Sequence, residues 1–445
     1  MGDEAKHKDP RSIAFDVLNR VEAGAFADIL LESGLKGAGE LDASLATELT
    51  YGVLRWSIRL DWSIGSFSSI KAKKLERRIL NALRIGAYQL LFLTKVPPSA
   101  AINESVKLIK GGGAKKAGFV NAVLRRIDAE RGSIRFPELN KDPVRHISVL
   151  YSHPEWLVKR WAGRYGAEEA LKLCMANQEI PPKAVRVNTL ATTRDELIKE
   201  FRGKGIEASK AAYSPDGIII AGGRVEAKDP RYYIQDQASQ IIPYLLSLAP
   251  NEVVLDACSA PGGKTTHMAQ LMRNAGAIYA LDLNSARLKA VEESAKRLGA
   301  GMIKTAQADA EKPLPKGLPQ VYDAILCDAP CSGLGVIRRT PDIKLRRKEG
   351  EIKELSERQK RILDNLAGYL KKGGRMVYSA CTFEPEETDD NIKWFLEAHR
   401  DFVLEDAKPF LLSSCGGLVD GKGFLRTFPH RHGMDGFFAA RLRRV

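Results

Sequence analysis

The sequence predicts a multi-domain chain: an all-α N-terminal third, a small α/β segment, and a C-terminal α/β domain on a mostly parallel, doubly wound sheet. Three observations carry that expectation. At 445 residues the chain is longer than one core usually serves, since domains run to ~150 residues. Apolar residues recur at helical spacing up to about residue 135. Beyond about residue 240, short apolar runs alternate with helical stretches, the pattern of parallel strands with helices on both faces. Hydrophobic residues at 44% and charged residues at 28% set aside disorder, collagen and coiled coil.

In the first third, Ile13, Val17 and Val21 share one helical face, as do Leu45, Leu49, Val53 and Leu54. A further series runs through Leu75, Ile79, Leu83 and Tyr88. The Pro97-Pro98-Ser99 break precedes a helix over 102–110, which Gly111-Gly112-Gly113 ends. Phe119, Val123 and Leu124 mark the last helix. A short helical stretch with Trp156 and Trp161 follows and closes at Pro181-Pro182. Ala184–Asn188 and Gly217–Ala221 read as strands, with a helix over 194–202 between them. In the last part, strands are expected at 253–256, 277–281, 302–306, 322–327 and 375–378, with helices from Lys264, over 285–298 and over 352–370. DGFFAARL (435–442) reads as a late strand.

Charge points to the class of partner. Lys+Arg number 69 against 55 Asp+Glu, and an excess of +14 favours a polyanion. Residues 1–135 hold 22 Lys+Arg against 15 Asp+Glu, and residues 336–375 hold 13 against 6. The second stretch, with Arg338-Arg339 and Arg346-Arg347-Lys348, is a candidate phosphate contact or an ordinary charged helix face. No apolar run approaches the ~18 residues of a membrane span. The start, MGDEAKHKDP, is charged without an apolar h-region, so a cytoplasmic protein is expected. Cys174, Cys258, Cys327, Cys331, Cys381 and Cys415 form neither a disulfide scaffold nor a zinc-spaced set, so no metal is expected.

The chemistry sits at strand tips. Asp256-Ala-Cys-Ser-Ala-Pro-Gly-Gly-Lys264 is a strand, a small-residue turn and a helix start, which lets a ligand approach backbone N–H groups. It is neither GxGxxG nor the P-loop. Asp282, 26 residues after Asp256, stands where a ribose finds its carboxylate, and Asp309 after the third strand can face an adenine amine. Each aspartate alone reads equally well as a helix cap; three at successive tips favour a nucleoside. Asp328-Ala-Pro-Cys331-Ser-Gly and Ser379-Ala-Cys381 occupy the next two tips. Free cysteine is more often a buried small hydrophobe. That reading suffices for Cys174, Cys327 and Cys415, but position argues against it for Cys331 and Cys381.

In that order, DACSAPGGKT, LDLN, DAPCSG and YSACTFEPEE resemble the Sun (Fmu/RsmB) family of S-adenosylmethionine-dependent RNA cytosine-C5 methyltransferases. LATELTYGVLRW (45–56), AINESVKLIK (101–110) and AGFVNAVLRR (117–126) resemble the NusB-like helical domain of the same family, and RVNTL (186–190) and DGFFAARL also match it. Departures at Ser259, Leu334, Ala380, Thr382 and Thr388 remove no reacting group. The resemblance implies a NusB-like RNA-binding domain over 1–140, linker helices and a small α/β subdomain over 145–238, and a Rossmann-like methyltransferase domain over 239–445. It implies S-adenosylmethionine held by Cys258, Ser259, Ala260, Pro261, Gly262, Gly263, Lys264, Asp282 and Asp309. Asp328 is placed with that set, with the cytosine's edge as its alternative partner. Cys381 is the implied nucleophile on cytosine carbon 6, and Cys331 assists proton removal or product release. The implied substrate is one cytosine of 16S rRNA, naked or partly assembled into the small subunit, met by a monomer. Two other readings compete: DNA cytosine methylation with Cys331 as nucleophile, and a non-enzymatic RNA-binding assembly factor.

Overall fold

The structure, a computed structural model, describes residues 9–445. The charged start MGDEAKHK lies outside them. The chain divides into two compact units; one runs to Glu179 and also takes in Ile337–Arg347, and the other holds Ile180–Val336 and Lys348–Val445.

The first unit is helical, as the apolar spacing predicts. Its helices are α1 (Pro10–Val21), α2 (Ala27–Gly34), α3 (Glu40–Phe67), α4 (Arg77–Phe92), α5 (Pro98–Lys107), α6 (Ala114–Glu130), α7 (Pro143–Leu150), α8 (Glu155–Tyr165) and α9 (Ala167–Ala176). Asp9 opens α1 by accepting from the Ser12 N–H at 3.0 Å, with Pro10 in the first turn where no N–H is needed. Leu18, Leu49, Leu60, Leu83 and Leu124 form the centre of one continuous apolar core. Helices α7–α9 lie in this compact unit, where the Ser152 hydroxyl takes the Ile58 N–H of α3 at 2.8 Å, and 337–347 lies in it too.

That segment is the start of the candidate phosphate contact at 336–375, and two of its cations are enclosed. Arg338 is 2% exposed and Lys344 0%. Lys344 Nζ donates to the Arg55 carbonyl at 2.8 Å, and Arg55 Nη2 donates to the Arg338 carbonyl at 2.9 Å. Arg346 donates to the carbonyls of Gly24 and Ala25 and lies over the Phe26 ring. Burial pushes the Lys344 ammonium well below its usual pKa. Arg338 and Lys344, enclosed in the helical unit, are turned to the protein and not to a phosphate.

The second unit contains two sheets. The smaller joins β1 (Lys183–Val187), β2 (Glu207–Lys210), β3 (Gly217–Gly222) and β4 (Tyr232–Ile234) in the order β2-β3-β1-β4, all antiparallel, with α10 (Arg194–Gly203) beside it. Thr193 and Glu196 cap α10 reciprocally. The larger sheet follows short helix α11 (Gln237–Ile241). It holds β5 (Val253–Asp256), β6 (Ala277–Asp282), β7 (Ile303–Gln307), β8 (Tyr322–Asp328), β9 (Leu370–Ala380), β10 (Phe402–Glu405), β11 (Leu425–Arg426) and β12 (Phe438–Arg444). Their order is β10-β12-β9-β8-β5-β6-β7, with β11 on β12. Strands β5 to β9 pair in parallel, and β12 runs antiparallel between β9 and β10. Helices α12 (Gly263–Leu271), α13 (Ser285–Arg297) and α15 (Glu351–Ala367) follow their strands as predicted, and α14 (Ile343–Arg346) lies in the segment that joins the helical unit. Further on come α16 (Asp389–Ala398) and the single turn α17 (Pro429–His432).

Strands β2, β4 and β10 gave no sequence signal because they are short and carry few alternating apolar positions. The late strand starts at Phe438, not Asp435, because the residues before it are committed to loops. The Asp435 N–H reaches Asp236 Oδ1 at 3.0 Å and the Gly436 N–H reaches the Gly335 carbonyl at 2.8 Å. Among the described residues, no helix is long and apolar enough to cross a membrane.

Candidate active site

The parallel order β9-β8-β5-β6-β7 aligns the carboxyl ends of five strands, where open α/β sheets place ligands. The turn after β5 is built from small residues because it must reverse within a tight space. The Ser259 N–H and hydroxyl both donate to the Leu281 carbonyl of β6, at 2.7 and 2.9 Å, which gives this serine a structural purpose. Gly262 adopts φ +99°, and a Cβ there would approach Val291 Cα of α13 to 3.0 Å, so glycine is required. The Ala260-Pro261 peptide is cis. Asp256 does not face a ligand as the run of aspartates suggested. It is buried and accepts from Thr265 Oγ1 at 2.6 Å, and burial above all holds its carboxyl up to about 7. It shapes the turn.

Asp282 ends β6 and accepts the Asn284 N–H at 2.8 Å, with Arg287 Nη1 3.4 Å from its other oxygen. The helix-capping role alternatively considered for Asp282 falls to Asn284, whose side chain takes the Ala286 and Arg287 N–H groups. Asp309, half-buried after β7, accepts the Glu311 N–H at 3.1 Å and faces Lys312 at 3.5 Å. Asp328 links neighbouring parts of the site: Lys264 Nζ donates to Oδ2 at 2.6 Å and Ser379 Oγ to Oδ1 at 2.6 Å. This bridge exists because β8 lies between β5 and β9. Burial, more than nearby carboxylates, pushes the Cys258 thiol well up, so its sulfur stays neutral beside the loop.

The two singled-out cysteines meet. Asp328 of β8 is opposite Ser379 of β9, so the residues just past each strand fall side by side. Cys331 Sγ lies 3.3 Å from Cys381 Sγ, within thiol–thiol hydrogen-bond reach. That hydrogen bond, then burial, then charge on Cys381 and Glu387, lifts the Cys331 thiol well above its usual range. The shift favours the protonated form of Cys331, and either sulfur can donate to the other. Cys174, Cys327 and Cys415 are buried, in line with the bland reading of those thiols. Among the described residues no His/Cys/Asp/Glu group is arranged to hold a metal.

Three contributors to the site gave no warning in the sequence as single residues. The Gly335 N–H donates to the Cys381 carbonyl at 2.9 Å. Glu387, at 0% exposure, accepts the Ser332 N–H at 2.8 Å. Arg186, in the RVNTL run, is buried beneath α12; it donates to Gln270 at 2.9 Å, Gln235 at 2.6 Å, Thr266 at 2.9 Å and the Gly263 carbonyl. Burial lowers its guanidinium only to about 10, so it remains charged. The available signal was a charged residue inside an otherwise apolar strand, AVRV. Arg186→Met removes every donor and leaves buried acceptors unsatisfied, each at about 1–3 kcal/mol. We expect several kelvin off the melting temperature and at least tenfold weaker cofactor binding, measured by calorimetry on the folded fraction; unchanged values would show that the α12 turn does not depend on Arg186.

Comparison with known proteins agrees with this layout. A family profile described as 16S rRNA methyltransferase RsmB/F matches residues 243–443, the NusB family matches 8–129, and a ferredoxin-like domain of Methyltr_RsmF/B matches 153–226. The chain is 38% identical to the probable ribosomal RNA small subunit methyltransferase B of Bacillus subtilis, over 99% of both chains. The crystal structure of PH0851 superposes at a TM-score of 0.82 with 27% identity, over 98% of this chain and 99% of that one. The structure of NSun6 from Pyrococcus horikoshii with SFG superposes at 0.58 with 25% identity, over 66% of this chain and 99% of that one.

Proposed function

This chain belongs to the 16S rRNA methyltransferase RsmB/F family, and from that premise we propose that it methylates carbon 5 of one 16S rRNA cytosine through a covalent adduct between Cys381 and carbon 6. The observation that carries the proposal is the Cys331–Cys381 pair at 3.3 Å, at the tips of adjacent parallel strands.

Carbon 5 of cytosine is a weak nucleophile. Addition of the Cys381 thiolate to carbon 6 turns the ring into an enamine, which splits one hard step into easier ones. Carbon 5 then takes the methyl group as its bond to the cofactor's sulfur breaks, the carbon-5 proton passes to a base (the Cys331 sulfur or water), the C5=C6 bond re-forms and the Cys381 sulfur departs as thiolate. Cys331 assists this second half.

The residues fit S-adenosylmethionine by the chemistry of their donors and acceptors. Asp282 suits ribose hydroxyls, Asp309 an adenine amine, and the turn 258–263 with Lys264 the methionine end. The match to a structure holding SFG, an S-adenosylmethionine analogue, supports this. When bound, the cofactor supplies an electrophilic methyl group. Lys264 and Ser379 hold the Asp328 carboxylate between that turn and the thiols. Each oxygen keeps a further lone pair, so Asp328 orients the site and has acceptor capacity left for the cytosine's edge.

We take the substrate to be naked or partly assembled 16S rRNA, met by a monomer in the cytoplasm. The helical unit's basic excess supplies a phosphate-binding surface, and the target base is flipped out of its stack to reach the thiols. Incubating the protein with labelled S-adenosylmethionine and unmethylated 16S rRNA, then digesting to nucleosides, tests the proposal. Label in 5-methylcytidine is expected. Label in any other nucleoside sinks the carbon-5 chemistry, and none at all returns the binding-factor reading.

A further inference from the structure

One buried carboxylate touches both catalytic loops. Glu387 Oε1 accepts the Ser332 N–H at 2.8 Å, and Ser332 directly follows Cys331. Glu387 Oε2 accepts from Thr382 Oγ1 at 3.2 Å, and Thr382 directly follows Cys381. The two loops also meet directly, with 2.9 Å between the Ser332 and Thr382 hydroxyl oxygens. We infer that Glu387 is a positioning residue that sets the distance between the Cys331 and Cys381 sulfurs by clamping the residue after each.

The clamp is itself held. Gln359 of α15 donates to Glu387 Oε1 at 2.9 Å and to the Pro330 carbonyl, just before Cys331, at 3.0 Å. The Tyr378 hydroxyl donates to the Glu387 carbonyl at 2.6 Å and stands 3.0 Å from Gln359 Oε1, which also takes Asn391 Nδ2 at 2.7 Å. Every side-chain oxygen of Glu387 has a donor, and the group faces no solvent. A buried carboxylate is costly, and burial does raise this one. Leucine or methionine would fill the same space without that cost, so the carboxylate's value lies in joining two loops whose cysteines are 50 residues apart. A network with all members satisfied rigidifies what it touches, and a shift of about 1 Å between reacting groups costs on the order of a hundredfold.

This inference deepens the thiol reading above and rests on it for its catalytic arm only. Diamide supplies a test that needs no methyl transfer: it takes one hydrogen from each thiol, joins the two sulfurs, and is itself reduced to the hydrazine. Closure of Cys331 onto Cys381, followed by mass spectrometry of the full chain, is expected to slow at least tenfold in Glu387→Met. Glu387→Gln keeps an acceptor for Ser332 and an amide for the Thr382 oxygen, so it is expected to close within threefold of the parent. Thr382→Val removes the Glu387 bond to the Cys381 loop together with the Thr382 contacts to the Ser332 hydroxyl and the Glu384 N–H, and covers the case in which Glu387→Met does not fold; it is expected to slow closure severalfold. In methyl transfer, Glu387→Met should lower kcat about a hundredfold with KM for RNA unchanged, with recovery in Glu387→Gln. Equal closure rates in parent, Met and Val variants overturn the inference, as does a Gln variant as poor as Met, which would mean that charge and not position matters. If the parent makes no 5-methylcytidine, the function proposal fails while the closure rates still judge the clamp.

Discussion

Cys381→Ala is expected to abolish 5-methylcytidine formation, and Cys331→Ala is expected to leave the protein attached to RNA as an adduct that survives denaturant. A covalent nucleophile removed outright costs on the order of 10^4-fold or more. Cys331 lies 3.3 Å away and is assigned to the second half of the reaction, so its loss spares the first step and stalls the exit. A denaturing gel with labelled RNA separates free protein from adduct, and nucleoside analysis reads product. The opposite pattern, product with Cys381→Ala and no adduct with Cys331→Ala, would make Cys331 the nucleophile and revive the DNA-type arrangement.

Gly335→Ala is expected to cost activity about a hundredfold while leaving the helical unit intact. The residue sits where the Cys331 loop crosses the chain beside Cys381, and its N–H holds the Cys381 carbonyl. A Cβ there would overlap the Gly436 carbonyl oxygen and come within 2.9 Å of the Cys381 carbonyl oxygen. Both are backbone atoms, which yield less readily than a side chain. Overpacking of this kind costs roughly 1–3 kcal/mol and displaces what it touches. Single-turnover methyl transfer with Gly335→Ala, beside a thermal melt, measures both. Full activity in the variant would mean that the Cys381 loop can shift without harm to the chemistry.

The strength of the sequence lay in local pattern. Helices α1, α3, α4 and α6 follow from apolar residues on one face, and β5, β6 and β8 from short apolar runs that end in aspartate. The glycine turn and both strand-tip cysteines are contiguous motifs, so their positions were readable before any contact was known. Burial was not. Arg338 and Lys344 read as cations on a basic flank, and only the packing of 337–347 into the helical unit shows them enclosed. Asp256 read as one of three ligand-facing aspartates, and only its enclosure with Thr265 turns it inward.

By itself, the sequence determined the order of the domains, the parallel sheet and the residue types at its strand tips, because each depends on neighbours within a few turns or one strand. The tertiary structure decided the rest: that two sulfurs 50 residues apart stand 3.3 Å from one another, that Asp328 bridges Lys264 and Ser379, and that Glu387 ties the two cysteine loops together. The physical reason is that such contacts are set by strand order and register across the sheet, and periodicity along a chain carries no information about which tips become neighbours.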